Sequence, residues 1–193
     1  MRRASKLIAK GITKYLRRLF SNDYLRCIDL SRGYLLINEF NELFYVSDEQ
    51  LINVLNDIWV LKPLATGLHV GWFFRDTGFI PSPALLEHLY SCLGVIKGAI
   101  EVSDLGIKAF LYGNDILLQS VIKVYRPIKE GMYVAVIDNI DKHVIGVGKA
   151  RYDHQELNRL MKFKETKRTL EVISNVFDLG KYLHEEEVTL KIK

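Results

Sequence analysis

Cysteine is scarce in this chain of 193 residues: it occurs only at Cys27 and Cys92, with no CxxC. That excludes a dense disulfide framework and a four-thiolate zinc site, and it predicts two buried, reduced thiols. No apolar run approaches the ~18 residues that a membrane-spanning helix needs. Proline stands at four positions, and no Pro/Gly/Ser-rich stretch, repeat or low-complexity tract interrupts the sequence, which predicts no long linker. Glutamine is limited to Gln50, Gln119 and Gln155, a weak sign of heat adaptation. With 49% apolar and 26% charged residues, the composition is globular. A chain of this size buries roughly 70% of its unfolded surface and needs no staples. A cytosolic protein is expected.

Catalytic signatures are also lacking. Gly146-Val147-Gly148-Lys149-Ala150 has the look of a phosphate loop. A Walker A needs Ser or Thr after its lysine to hold magnesium, and Ala150 stands there; His143 takes the place of the first glycine. A GxG inside a strand instead marks a bulge or a close backbone approach. The five histidines show no HxxxH or HxxEH spacing. His184 beside Glu185, Glu186 and Glu187 suggests a metal cluster, but consecutive helical residues point in different directions, so a solvated acidic tail is expected. There is no GxSxG elbow. No cofactor, metal or small-molecule substrate is implied.

What is present is segregated charge. Residues 1–26 hold eight basic side chains against Asp23 alone, a balance of +7 within a net charge of +4. Residues 27–94 come to −5, with three bases against eight acids. Residues 142–168 return to +5, eight bases against Asp153, Glu156 and Glu165. Two basic patches on a near-neutral chain point to a polyanion, with a solvated charged face as the competing reading for each.

The apolar pattern predicts an amphipathic helix over about residues 4–20, with Leu7, Ile8, Ile12, Tyr15, Leu16 and Leu19 on one side and lysines on the other. An acid-poor, Arg-rich start also suits a transit peptide or membrane-surface helix, but it lacks the 7–15-residue apolar core of a secretory signal. Strands are expected at Tyr24–Leu30, Tyr34–Phe40 and Leu43–Val46, then a Ser47/Gln50 capping box opening a helix to Asn56. A β-rich stretch spans Ile58–Phe74, and Ser82-Pro83 starts a helix that Gly94 ends. A boundary near residue 94 follows. Beyond it, strands are expected at Val95–Val102, Asp115–Leu118, Val121–Tyr125, Met132–Asp138, Val144–Ala150 and Leu170–Val176. Helices are expected at Ser103–Tyr112, after Asp153, and at Phe177–His184. Short strands with so few helices imply a small, partly open barrel. The fold class is therefore α+β: residues 1–94 an α+β domain with an antiparallel sheet, residues 95–193 a mixed pseudo-barrel.

Ala109-Phe110-Leu111-Tyr112-Gly113-Asn114-Asp115-Ile116-Leu117 resembles the FLYGN-x-(V/I)-L signature of a ribosome biogenesis family, here called Nip-seven. Phe44-Tyr45-Val46-Ser47 looks like that family's YYVS, Ile145–Ala150 resembles its LGFGVAA strand, and Asp178–Glu186 is similar to its DIGEYxRHEE tail. The likeness runs from about residue 40 to 190. Gln119-Ser120-Val121 departs from it, standing where the family tends to have Ser-Gly, and Val176 or Phe177 replaces a family histidine.

The resemblance implies a pre-PUA domain joined to a C-terminal PUA domain, the RNA-binding module of pseudouridine synthases and archaeosine transglycosylases. It implies binding without catalysis, in pre-ribosomal RNA processing and large-subunit assembly, with pre-ribosomal RNA and other assembly proteins as partners and no membrane. An archaeal, cytoplasmic setting is expected. In archaeal relatives, basic residues after the glycine strand hold RNA, which here offers Lys149, Arg151, Arg159, Lys162, Lys164, Lys167 and Arg168; the charge count selects the same stretch. Lys108 and Lys123, beside the FLYGN helix and its following strand, join the candidates. Phe163, Tyr152 and Tyr112 could stack on bases, with core packing as the competing reading. Two other functions remain open: a subunit or relative of an RNA-modifying system acting on transfer or ribosomal RNA, and a protein–protein adaptor in a ribonucleoprotein complex.

Overall fold

A computed structural model describes residues 1–47 and 63–182. The chain divides into two compact units, Met1–Val95 and Ile96–Lys193. Both combine helices with a sheet, so the fold class is α+β. The helix expected at Ser47–Asn56, the start of the Ile58–Phe74 stretch and the His184–Glu187 tail lie outside the described residues.

In the first unit, β1 (Arg2–Arg3), β2 (Tyr34–Ile37), β3 (Glu42–Val46), β4 (Leu68–Phe74) and β5 (Gly78–Pro81) form one antiparallel sheet in sequence order. Helix α1 (Lys6–Phe20) starts at Ser5, whose Oγ accepts from Ile8 N–H at 3.4 Å. It buries Ile8, Ile12, Leu16, Leu19 and Phe20 at helical spacing. Helix α2 (Pro83–Leu93) is framed as the sequence indicates. Ser82 Oγ accepts from Leu85 N–H at 3.0 Å and donates to the His69 carbonyl at 2.6 Å. Gly94 ends the helix at φ 65°, where only glycine is unstrained.

Two expectations for this unit are overturned. Tyr24–Leu30 is not a strand: Asp23–Arg26 is a 3-10 turn. Tyr24 and Ile28, both buried, stand four residues apart, a helical spacing that alternation over a short run conceals. The two cysteines are also not reduced thiols. Cys27 and Cys92 form a disulfide, joining the segment after α1 to the last turn of α2 across 65 residues. Cys92 is exposed, so neither burial nor a dense framework was needed for the pair to meet.

In the second unit, β6 (Ala99–Val102), β7 (Ile116–Leu117), β8 (Val121–Tyr125), β9 (Tyr133–Ile137), β10 (Val144–Ala150) and β11 (Glu171–Asp178) make a curled mixed sheet in the order β7-β11-β10-β9-β6-β8. Only β6 and β9 run parallel. Helix α3 (Asp104–Leu111) follows β6, and α4 (His154–Met161) follows β10. Asp153 caps α4 by accepting from Gln155 and Glu156 N–H at 2.8 and 2.9 Å. Phe177 and Asp178, expected to open a helix, instead extend β11: Phe177 pairs with Val147 and is 1% exposed, so strand pairing and burial override the local pattern. A 3-10 turn, Leu179–Tyr182, follows.

The GxG of β10 does mark close approach. A Cβ at Gly146 would run into the Phe177 carbonyl and lie 2.6 Å from the Phe110 ring, and one at Gly148 would run into the Ile173 side chain. The pairing register shifts at both glycines, between Val144 and Gly146 on one side and Val147 and Gly148 on the other. The glycines thus let β10 lie flush against β11 and under α3.

Candidate nucleic-acid interface

The segments that carry the family resemblance converge in the second unit. Phe110 packs over Gly146, and Asn175 Nδ2 of β11 donates to the Phe110 carbonyl at 2.9 Å. Gly180, in the Asp178-Leu179-Gly180 turn, sits so close to the Leu111 carbonyl that any Cβ would collide with it. Asp115 Oδ1 accepts from Asn175 N–H at 2.8 Å, tying the turn after α3 to β11. Residues 110–115, 146–148 and 175–180 are therefore one packed corner.

Beside that corner lies a cleft of about 800 Å³, lined by Gly113, Asp115, Glu130, Lys149, Arg151, Glu171 and Ser174 among others. Of the candidate cations, only Lys149 and Arg151 face it. Arg151 is not free to bind phosphate: its Nη2 lies 2.7 Å from both Asp115 Oδ2 and Glu171 Oε2, and its Nε donates to Ser174 Oγ at 2.9 Å. Three carboxylates against two cations make this cleft locally acidic, so electrostatics do not draw a polyanion into it.

The remaining candidates sit elsewhere on the unit. Arg159, Lys162, Lys164, Lys167 and Arg168 lie on α4 and the turns that follow it. This segment is hooked onto the stretch leading into β8. Lys164 Nζ donates to the Val121 carbonyl at 2.8 Å, Gln119 N–H to Arg168 O at 3.3 Å, and Leu118 N–H to Leu170 O at 2.7 Å. Lys123 stands exposed on the same strand, with Nζ 4.6 Å from the centre of the Tyr125 ring. Lys108 is exposed on α3.

Neutralisation sorts these cations. Arg159 pairs with Glu156 at 3.5 Å, and Arg168 pairs with Glu165. The Arg168 hydrogen bond holds the Glu165 carboxyl below its usual range. Lys108, Lys149, Lys162 and Lys167 make no ion pair among the described residues. The aromatics sort as well. Phe163 and Tyr112 are 55% and 71% exposed, which rules out core packing for both, whereas Tyr152 is half-buried. Phe163 thus lies between Lys162 and Lys164 with its ring open to solvent, the arrangement that base stacking beside a phosphate contact requires.

Sequence reasoning missed the acids that clamp Arg151, because Asp115 and Glu171 lie 36 and 20 residues from it and strand pairing alone brings them together. It also missed a buried carboxylate. Glu101 is 5% exposed and accepts from Lys142 Nζ at 2.9 Å and Tyr125 O–H at 2.8 Å. Burial pushes its pKa up, but these hydrogen bonds outweigh that and hold it below the usual carboxylate range. Burial and the bond to Glu101 push the Tyr125 hydroxyl up to about 12. Lys142, counted within the second basic patch, is thereby committed to the fold. Among the described residues, no group of three or more His, Cys, Asp or Glu side chains could hold a metal ion. No described helix is long and apolar enough to cross a membrane.

A curled mixed sheet closed by α3 and α4, with the 110–115 corner packed on the glycine strand, is the architecture of a PUA domain, typically an RNA-binding module. The family model that matches residues 98–187 is that of the UPF0113 PUA domain. Solved structures share the fold. A hypothetical protein from the hyperthermophilic archaeon Pyrococcus horikoshii superposes with a TM-score of 0.67 at 13% identity, covering 95% of this chain and 96% of that one. A PUA domain from Aeropyrum pernix, solved with tartrate, gives 0.62 at 16% identity over 94% and 87%. A conserved PUA domain protein from Thermoplasma acidophilum gives 0.57 at 17% over 94% and 95%. No curated protein sequence matches the chain.

Proposed function

We propose that this protein binds RNA without altering it covalently and serves as an assembly factor in pre-ribosomal RNA processing and large-subunit maturation. The carrying observation is that the matched PUA residues present Lys162 and Lys167, with no ion pair among the described residues, in the same exposed segment as the ring of Phe163. Phosphate contacts by such lysines release counterions and supply sequence-independent affinity, while a stacked base adds preference for an unpaired strand. Lys108 and Lys123 add exposed cations on the same unit, while Lys149 faces the acidic cleft. The Nip-seven resemblance supports the ribosomal assignment, since three of the segments that carry it build one corner of the unit. The archaeal origin of the structural relatives supports a prokaryotic cytoplasm as the setting.

Crosslinking in cells followed by sequencing of the bound RNA tests this reading. Enrichment of large-subunit precursor RNA is expected, and the same RNA incubated with pure protein should keep its nucleoside composition. Recovery dominated by transfer RNA, or the appearance of a modified nucleoside, would replace the proposal with the RNA-modifying alternative.

A further inference from the structure

The more basic of the two sequence patches lies outside the PUA residues, with five of its eight bases on α1. Lys6, Lys10, Lys14 and Arg17 recur at one-turn intervals and, at about 100° per residue, fall within roughly 80° of arc. That ridge is turned away from the buried Ile8, Ile12, Leu16 and Leu19. With a rise of about 1.5 Å per residue, successive charges stand about 4.5–6 Å apart along the axis. All four are clear of any ion pair among the described residues, unlike Arg151, Arg159 and Arg168 of the second unit. Helix α1 contains no acid. Asp29, the acid nearest in chain to Leu30 and Ser31 on the far wall, is already held by Ser31 and Arg32. Between ridge and wall runs a groove of about 610 Å³, floored by the small Ala9 and Thr13.

We propose that this ridge and groove are a second RNA contact, with the lysines on successive phosphates of a single strand and the groove taking a sugar or base. The proposal rests on the RNA-binding reading above. Three features favour RNA over other polyanions. The apolar face of α1 is buried in its own unit, so the helix cannot insert into a bilayer as an amphipathic membrane helix does. On the basic helix only Leu7 is an exposed large hydrophobic, at 69%, so the patch lacks the aromatic and aliphatic anchors of a protein interface. A linear row of point charges with an open, largely apolar groove alongside suits a phosphate backbone whose sugars and bases turn to one side. Arg3 is not part of the row, because its guanidinium stacks 5.0 Å over the Tyr34 ring.

The test uses the full chain, a labelled oligouridylate and fluorescence anisotropy across a potassium chloride series. Each phosphate contact to a single strand contributes about 0.7 to the slope of log K against log salt. The variant K6Q/K10Q/K14Q/R17Q, which keeps good helix formers, should lower that slope by about 3. Should it misfold by circular dichroism, K10Q/K14Q should lower the slope by about 1.4. An unchanged slope in a folded variant overturns the proposal. K162A/K167A, measured alongside, isolates the PUA reading. If that variant binds as wild type while the α1 variant weakens, the PUA interface is wrong and the α1 contact stands; the reverse leaves the PUA interface alone. Binding of wild type to polyglutamate or phosphatidylserine vesicles that depends on α1, with the RNA slope unmoved, would reassign the ridge to a protein or lipid partner and overturn the proposal.

Discussion

The neutralisation pattern of the second unit makes a sharp prediction about which cations matter. Lys162 and Lys167 are exposed and unpaired among the described residues, whereas Arg159 and Arg168 face Glu156 and Glu165 across one turn. A phosphate that approaches either arginine must displace a carboxylate, and the local pair carries no net charge with which to attract it. K162A/K167A should therefore lower the salt slope of RNA binding by about 1.4, two contacts at about 0.7 each. R159A/R168A should change it by well under one contact and leave stability nearly unaltered, since exposed pairs contribute little. Lys164 differs again: its ammonium is held by the Val121 carbonyl, so K164A should loosen the 162–170 segment more than it weakens phosphate contact. The assay is anisotropy with one labelled single strand over a salt series, both double variants measured against wild type. If R159A/R168A flattens the slope as much as K162A/K167A, ion pairing does not sequester those arginines and the assignment of the interface fails.

Three further outcomes follow from the packing. Reducing the Cys27–Cys92 bond, or replacing both with serine, releases a 65-residue closure and should destabilise the first unit by roughly 4 kcal/mol, read from denaturant midpoints with and without reductant; equal midpoints would show that the bond constrains little. Gly180→Ala drives a Cβ into the Leu111 carbonyl and should cost about 1–3 kcal/mol in the second unit, visible as a lowered melting temperature; a wild-type melt would mean the corner is looser than its geometry. Glu101, with its folded pKa depressed, contributes stability that is fully present above the ordinary carboxylate range and is lost as pH falls through the folded value. Glu101→Gln should therefore flatten the acid side of the stability–pH curve, and an unaltered curve would rule Glu101 out as a contributor to acid unfolding.

Much of the fold was legible because local chemistry and tertiary structure agree. Ser82-Pro83 and Gly94 bracket α2, Asp153 opens α4, and Val144–Ala150 is a strand with glycines where a neighbour presses close. Where they disagree, long-range partners decided. Phe177 belongs to β11 because Val147 pairs with it, and Tyr24 and Ile28 share a turn because the core lies on one side of it. The candidate interface divides in the same way. Counting charge along the chain finds every lysine and arginine of residues 142–168, since net charge is a property of composition. It cannot find Asp115 and Glu171 around Arg151, or Glu101 under Lys142, since those carboxylates arrive on other strands.

The order of residues alone thus determined that this protein is an α+β chain with two cationic stretches and where most of its helices begin and end, because capping, periodicity and charge are local quantities. Which of those cations remain available to a phosphate, and that the two lone cysteines meet, were decided only by the tertiary structure. Both depend on which distant side chains the sheets and helices set within a few ångströms of one another.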